Sequence, residues 1–282
     1  MGITSSVELA TIYGDGEPPP SLARYARELW SRRRLLSYLT RTRLKAQHYD
    51  TTFGKAWLVL GPLMMAGVYM LVRTVMQPPG TEEHARLVIA HIVMGVFIFQ
   101  YVASGITSGA TSVLANSRML LNTPVPCGVF PTTSLMTGVV TLMPTLVVLL
   151  VVRAFLRQPF GITLLAVPVV LLLLTAFVYG VSLAMAALTV YFRDTTNFLT
   201  YLTRLWLFVT PVIYTVQEIP EHLRRYLALN PLFPYYAALD DALSADWPSQ
   251  RYLAWAAAWA VGALVVGLAA FLAKERDFAV RL

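Results

Sequence analysis

Cysteine is almost missing from this chain. Cys127 is the only one in 282 residues. That excludes a disulfide scaffold, and any zinc or iron–sulfur centre built on thiolates. Charge is also scarce. Asp, Glu, Lys and Arg together make up 13% of the sequence, against roughly one quarter in a soluble domain. Lysine occurs only at positions 45, 55 and 274, so 19 of the 22 basic residues are arginine. Such a preference is expected of a GC-rich genome and carries no functional reading. No G-x-x-x-x-G-K-[ST] loop and no dinucleotide fingerprint is present, so no nucleotide-binding motif is carried by this chain. The histidines, His48, His84, His91 and His222, are too scattered to read as a catalytic or metal-binding pair.

What the chain has instead is apolar length. Hydrophobic residues make up 57% and the mean hydropathy is +0.61. Six transmembrane helices of about 20 residues each fit within that composition. The expected spans are Ala56–Met76, Leu87–Ser108, Val129–Val152, Ile162–Tyr191, Phe198–Thr215 and Tyr252–Ala273. Residues 1–20 are polar, end in Pro18-Pro19-Pro20, and read as a flexible tail. No apolar signal-peptide core precedes residue 56. The predicted fold is an all-α integral membrane protein, with residues 51–282 forming the six-helix domain.

Residues 21–50 read as an amphipathic helix with a bend near Arg32–Arg34. Leu22, Tyr25, Ala26 and Leu29 form one face, and Leu35, Leu36 and Leu39 shift the stripe sideways. Over residues 21–46, eight basic residues oppose one acid, Glu28. A basic amphipathic helix just before a span is expected to lie on the inner leaflet, touching membrane lipids. Lysine and arginine also orient the chain. With the N-terminus inside, 14 basic residues fall on the cytoplasmic side and 7 outside. Both termini are therefore expected in the cytoplasm. Arg153 and Arg157 violate the pattern mildly. The net charge of +7 is accounted for this way, without nucleic acid.

The outer loop, about 216–246, is too apolar for a solvated loop and too short for two spans. Two short helices dipping back into the membrane fit it. Asp240, Asp241 and Asp246 in this region read either as a solvated loop or as carboxylates of a metal-dependent sugar transferase. His91 falls inside a span, where a packing hydrogen bond fits better than ligation. Arg204 is an intramembrane charge. It reads equally as a pore or gate residue and as half of a structural pair with Asp194. Phe198, Tyr201, Leu205 and Phe208 share one helical face, which suits either core packing or stacking against sugar rings. Gly105 and Gly109 mark a close helix–helix approach. Arg118, Met119, Leu120 and Leu121 sit in a short amphipathic stretch, about 115–123, closed by Pro124 and Pro126. Such a stretch suits a helix docking into another protein's groove.

Several motifs then follow in a fixed order. They are Y-D-T-T-F-G-K-A-W-L-V-L-G-P from Tyr49 and N-S-R-M-L-L-N-T-P-V-P from Asn116. After them come F-R-D at Phe192, P-V-I-Y at Pro211, Ile219-Pro220 and N-P-L at Asn230. Over about residues 25–275 this series resembles the membrane subunit of ABC-2-type polysaccharide exporters, the O-antigen, capsule and teichoic-acid permeases. The resemblance implies a bacterial inner-membrane homodimer working with two separate ATPase subunits, which bind Mg-ATP. This chain itself would hold no cofactor and no catalytic site. The substrate implied is a lipid-pyrophosphate-linked glycan, moved outward through a channel lined by the first and fifth spans. Residues 115–123 then correspond to a coupling helix on the ATPase, and Arg193-Asp194 to a second contact. Phe198, Tyr201, Arg204 and Phe208 become candidate channel residues. Arg32, Arg33, Arg34, Arg41 and Arg43 become candidates for steering the pyrophosphate headgroup, beside simple lipid anchoring. The arginine-rich composition is similar to the actinobacterial branch that exports cell-wall galactan. An ABC-2 exporter of drugs or small lipids shares the fold, and a membrane-embedded glycan-modifying enzyme is the reading from another class.

Overall fold

The computed structural model describes residues 22–47, 52–76, 81–123, 125–158, 160–215, 226–227 and 229–282. The expected tail at 1–20 lies outside them. All regular elements described are helical: α1 (Leu22–Ser31), α2 (Arg33–Gln47), α3 (Trp57–Met76), α4 (Glu82–Ala115), α5 (Ser117–Asn122), α6 (Val129–Phe155), α7 (Ala166–Tyr191), α8 (Thr195–Val209), α9 (Phe233–Leu243) and α10 (Gln250–Arg281). Short 3-10 turns at Gly54–Ala56 and Ile162–Leu165 lead into α3 and α7.

Among the described residues five helices are long and apolar enough to cross a bilayer: Trp57–Met76, His84–Ala115, Val129–Phe155, Ile162–Tyr191 and Gln250–Phe278. The shortest has 20 residues, about 30 Å of helix and one hydrocarbon thickness. The expected fifth span, Phe198–Thr215, differs. Its helix, α8, has 15 residues and stops at Val209, giving about 22 Å. Pro211 explains the stop. Its ring disfavours helical backbone at the preceding residue, and Thr210 is extended at φ −89°, ψ 139°.

α4 forms the axis of the bundle. Ile92, Met94, Phe97, Ile98 and Val102 are each no more than 2% exposed, and α6, α7, α9 and α10 contribute the residues packed around them. The small residues of α4 do let helices close in, because a Cβ on Gly109 would lie 2.3 Å from Ser182 Cβ of α7. The tightest crossing is between α7 and α10. A Cβ on Gly267 would lie 2.0 Å from the Gly180 carbonyl oxygen, and one on Gly180 would lie 2.3 Å from the Ala263 carbonyl carbon. Backbone meets backbone there, so no side chain can yield.

The apolar segment ahead of α10 contains a buried helix. Nine of the eleven residues of α9 are buried. Tyr235 donates to the Ala256 carbonyl and Tyr236 to the Gly95 carbonyl, each at 2.8 Å. The partner helix expected before it falls mostly on residues 216–225, outside the described ones. Asp240 and Asp241 are therefore not in a solvated loop. Arg153 is corrected likewise. It is 1% exposed and donates to the Leu243 carbonyl at 2.8 Å and to Gln158 Oε1 at 3.1 Å. It serves the carbonyl end of α9 and does not count as a loop charge.

At the other end, α1 and α2 break at Arg32. Leu36 packs with Val125 and Val129, and Leu29, Leu35 and Leu39 surround them. Arg24, Arg27, Arg33, Arg34 and Arg41 are exposed. The α7–α10 crossing gives a direct test. Gly180→Ala is expected to cost about 1–3 kcal/mol of stability or more, as overpacking does. Gly262→Ala, where a Cβ meets nothing within 4 Å, is expected to be neutral. Thermal unfolding in detergent measures both, and equal midpoints would refute the close crossing.

Candidate functional site

Two ends and one face of the bundle carry the residues singled out above. At the end formed by α5, a cap joins segments far apart in sequence. Asn116 stops α4: its Nδ2 bonds back to the Ser112 carbonyl, and its own carbonyl accepts from Met119 and Leu120. The chain thus restarts as the six-residue α5. Leu120 is only 1% exposed. It packs with Val113, Phe130, Leu183, Val190 and Phe278, with Met119 and Tyr191 against that cluster. The expectation that Met119, Leu120 and Leu121 all face a partner is thereby narrowed. Leu120 serves the chain's own core, Met119 is half-buried, and Leu121 and Arg118 are exposed.

The same cluster reaches the F-R-D motif. Tyr191 donates to Asp277 Oδ2 and lies under the Arg281 guanidinium, 4.1 Å from its ring centroid. Beyond it Phe192, Arg193 and Asp194 are all exposed. The structure therefore carries α5 and the Phe192–Asp194 turn on one cap. Cys127 lies beneath it, and burial, with Glu275 nearby, pushes its thiol well up. It stays protonated and unreactive.

Along the bundle, α8 has two unlike sides. Thr195, Leu199 and Thr203 are buried at helical spacing. Phe198, Tyr201, Leu205 and Phe208 are each more than 60% exposed. Arg204 is exposed on this side, 6.0 Å from the centroid of the Tyr201 ring. α8 begins at Thr195, so Arg204 lies ten positions after Asp194, about 15 Å along the helix axis. That is too far for the expected structural pair. Most of α3 is exposed as well, including Met64, Val68, Leu71 and Val75. Behind α3 lies a cleft of about 560 Å³ lined by Trp57, Pro62, Met65, Phe97, Gln100 and Thr145 among others. The arginines of the N-terminal helices divide. Arg33, Arg34 and Arg41 are exposed, Arg32 is half-buried at the break, and Arg43 turns inward to donate to Ser134 of α6.

At the far end the P-V-I-Y and N-P-L motifs interlock. Asn230 Oδ1 accepts from Trp206 Nε1 at 2.9 Å and from the Leu232 amide at 3.0 Å. Its Nδ2 donates to the Val209 carbonyl and to Thr210 Oγ1, both at 3.2 Å. One side chain thus ties the end of α8 to the start of α9. His91 of α4 closes the lock, with Nδ1 2.8 Å from Asp240 Oδ1 and Nε2 3.1 Å from the Pro211 carbonyl. Its two ring nitrogens thus bridge α9 and the turn after α8. Asp241 accepts from the Ser249 amide at the start of α10, and burial raises its carboxyl above the usual range. A cavity of about 380 Å³ opens beside His91, Arg153 and Asp240.

The profile of the family described as "ABC-2 type transporter" matches residues 34–243. The chain belongs to the ABC-2 type transporter family. It is a multi-pass membrane protein, related in sequence to curated export permeases. The O-antigen export system permease protein RfbA of Klebsiella pneumoniae is 27% identical over 251 residues, covering 87% of this chain and 93% of that protein. The protein of the same name from Myxococcus xanthus is 28% identical over 213 residues, 75% of this chain and 80% of its own. The family match ends at Leu243, the last residue of α9, so it contains α5, the F-R-D turn, α8 and the far-end lock. His91 does make packing hydrogen bonds, as expected, but its pairing with Asp240 and the role of Asn230 were not expected. The signal for both was a polar residue placed inside an apolar stretch. Removing one half of a buried pair costs about 3–5 kcal/mol. His91→Ala is expected near the low end, since Asp240 keeps some exposure. Adding Asp240→Ala is expected to cost less than the sum of the two single changes. A double-mutant cycle by thermal unfolding checks this, and additive losses would refute the coupling.

Proposed function

We propose that this chain is the permease subunit of an ABC exporter that moves a lipid-linked polysaccharide outward across the bacterial inner membrane. ATP would be hydrolysed in separate subunits, two for each pair of permeases. The observation that carries this reading is the near end-to-end relation to a permease named for O-antigen export, over 87% of this chain and 93% of that one. The family and the five membrane-crossing helices support the coarser part.

The orientation follows the basic residues, with both termini, α1, α2 and α5 in the cytoplasm. In this arrangement α8 and the turn after it form the fifth of six crossings. Its exposed aromatic side and the bare side of α3 are faces a second copy would cover, enclosing a channel. Phe198, Tyr201 and Phe208 would offer it apolar rings for sugars, and Arg204 a charge at the wall. The cap formed by α5 and Phe192–Asp194 is the ATPase-docking surface. Closure of the ATPase dimer on Mg-ATP would push this cap and part the two permeases. Arg33, Arg34 and Arg41 are exposed where a pyrophosphate headgroup would arrive from the inner leaflet, and planar guanidinium groups suit phosphate oxygens. Arg43, held by Ser134, contributes less. An ABC-2 exporter of drugs or small lipids would use the same cap. The exposed aromatic row and the basic helices favour the glycan. The enzyme reading is weakened because Asp240 and Asp241 are engaged with His91 and Ser249.

Copurification with the ATPase subunit, followed by ATPase assay with candidate lipid-linked glycans of O-antigen and galactan type, tests the proposal. Wild type is expected to hold the ATPase, and the matching glycan to raise turnover. Leu121→Asp with Arg193→Glu is expected to weaken that capture at least tenfold, about 1.4 kcal/mol, while the chain still folds. Failure of the wild-type chain to hold any ATPase subunit would overturn the reading.

A further inference from the structure

Beneath the docking cap, three distant segments meet at one carboxylate. Glu275 of α10 is 5% exposed and Tyr25 of α1 is 3% exposed. Glu275 Oε1 accepts from the Tyr25 hydroxyl at 3.0 Å and from the Cys127 amide at 2.7 Å. The Gly128 amide donates to Tyr25 Oη at 3.1 Å. A Cβ on Gly128 would lie 2.3 Å from that hydroxyl oxygen, so only glycine allows the contact. Cys127 and Gly128 immediately precede α6, where backbone amides lack helical partners and the helix dipole favours an anion. Those amides are served by a carboxylate from α10 and a hydroxyl from α1.

Cys127 and Gly128 also end the turn that follows α5. Val125 in that turn packs on Leu36 of α2. The turn is thus held by apolar contact on one side and by hydrogen bonds on the other. Apolar contact is non-directional and tolerates sliding. Hydrogen bonds weaken steeply with angle and fix the register.

We propose that Glu275 is a positioning residue for the export stroke, and that it acts through the Cys127 amide and the Tyr25 hydroxyl. It makes the turn behind α5, the N-terminal helix α1 and the end of α10 move as one body when the ATPase pushes on the cap. With the tie cut, α5 moves without α1, and ATP is spent without admitting substrate. This rests on the reading of α5 as the ATPase-docking helix.

The test uses the full chain assembled with its ATPase subunit in liposomes. Wild type, Tyr25→Phe, Glu275→Leu and Glu275→Gln are compared for ATP turnover, for glycan moved per ATP, and for hydrogen exchange in α1 on binding a non-hydrolysable ATP analogue. Tyr25→Phe and Glu275→Leu are expected to keep ATP turnover within about twofold and to lose at least fivefold in glycan per ATP. Both lose the nucleotide-dependent change in α1 exchange. Glu275→Gln, whose amide oxygen still accepts both bonds, is expected to keep both properties. Wild-type glycan per ATP together with a wild-type α1 response in Tyr25→Phe would overturn the inference. So would Glu275→Gln failing as Glu275→Leu does. Tyr25→Phe removes one oxygen only, so it decides the matter even where Glu275→Leu does not fold. Failure of the wild-type chain to bind the ATPase at all would mark the earlier docking reading as wrong, and the inference with it.

Discussion

No water is available inside a bilayer to satisfy a polar group, so each one placed there has to be matched within the protein. Much of the architecture follows from this constraint. The carbonyl end of α9 is met by Arg153. The break after α8 frees the Val209 and Pro211 carbonyls, and Asn230 and His91 take them up. The hydroxyls of Tyr235 and Tyr236 reach carbonyls of α10 and α4. At the opposite end, Glu275 and Tyr25 serve the unpaired amides ahead of α6. A short helix such as α9 can lie inside an apolar bundle because its neighbours supply these partners.

The same constraint separates what could be read from the sequence and what could not. Long apolar runs have a local signature, and α3, α4, α6, α7 and α10 fall close to their expected positions. The break at Arg32 was legible because Leu35, Leu36 and Leu39 leave the stripe begun by Tyr25 and Leu29. Pairings across the chain have no local signature. His91 and Asp240 are 149 positions apart, and Tyr25 and Glu275 are 250 apart. Asp240 therefore read as a solvated loop residue, and Arg153 as a misplaced loop charge. Leu120 read as a docking residue because periodicity marks an apolar position without saying whose core it fills. The end of α8 was in principle legible from Pro211. The apolar residues beyond it hid the stop.

Functionally, the molecule divides into matched and unmatched surfaces. In the far-end lock, Asn230 and His91 find their hydrogen-bond partners within the chain. The aromatic side of α8 and most of α3 are exposed among the described residues. The cap exposes Leu121, Phe192, Arg193 and Asp194 around a buried Leu120. In the proposed exporter these are the surfaces completed by a second permease and by the ATPase subunits. A rigid lock at one end and a cap tied to α1 at the other suit a device that receives a push on one side and opens along its length.

The central claim is that these surfaces serve ATP-driven export of a lipid-linked glycan. Its most direct test is delivery of such a glycan into the lumen of inside-out vesicles containing this permease and its ATPase partner. The account predicts accumulation that requires ATP hydrolysis and both subunits. Luminal glycan that rises equally without ATP, or ATP-driven movement confined to small amphiphiles, would contradict it.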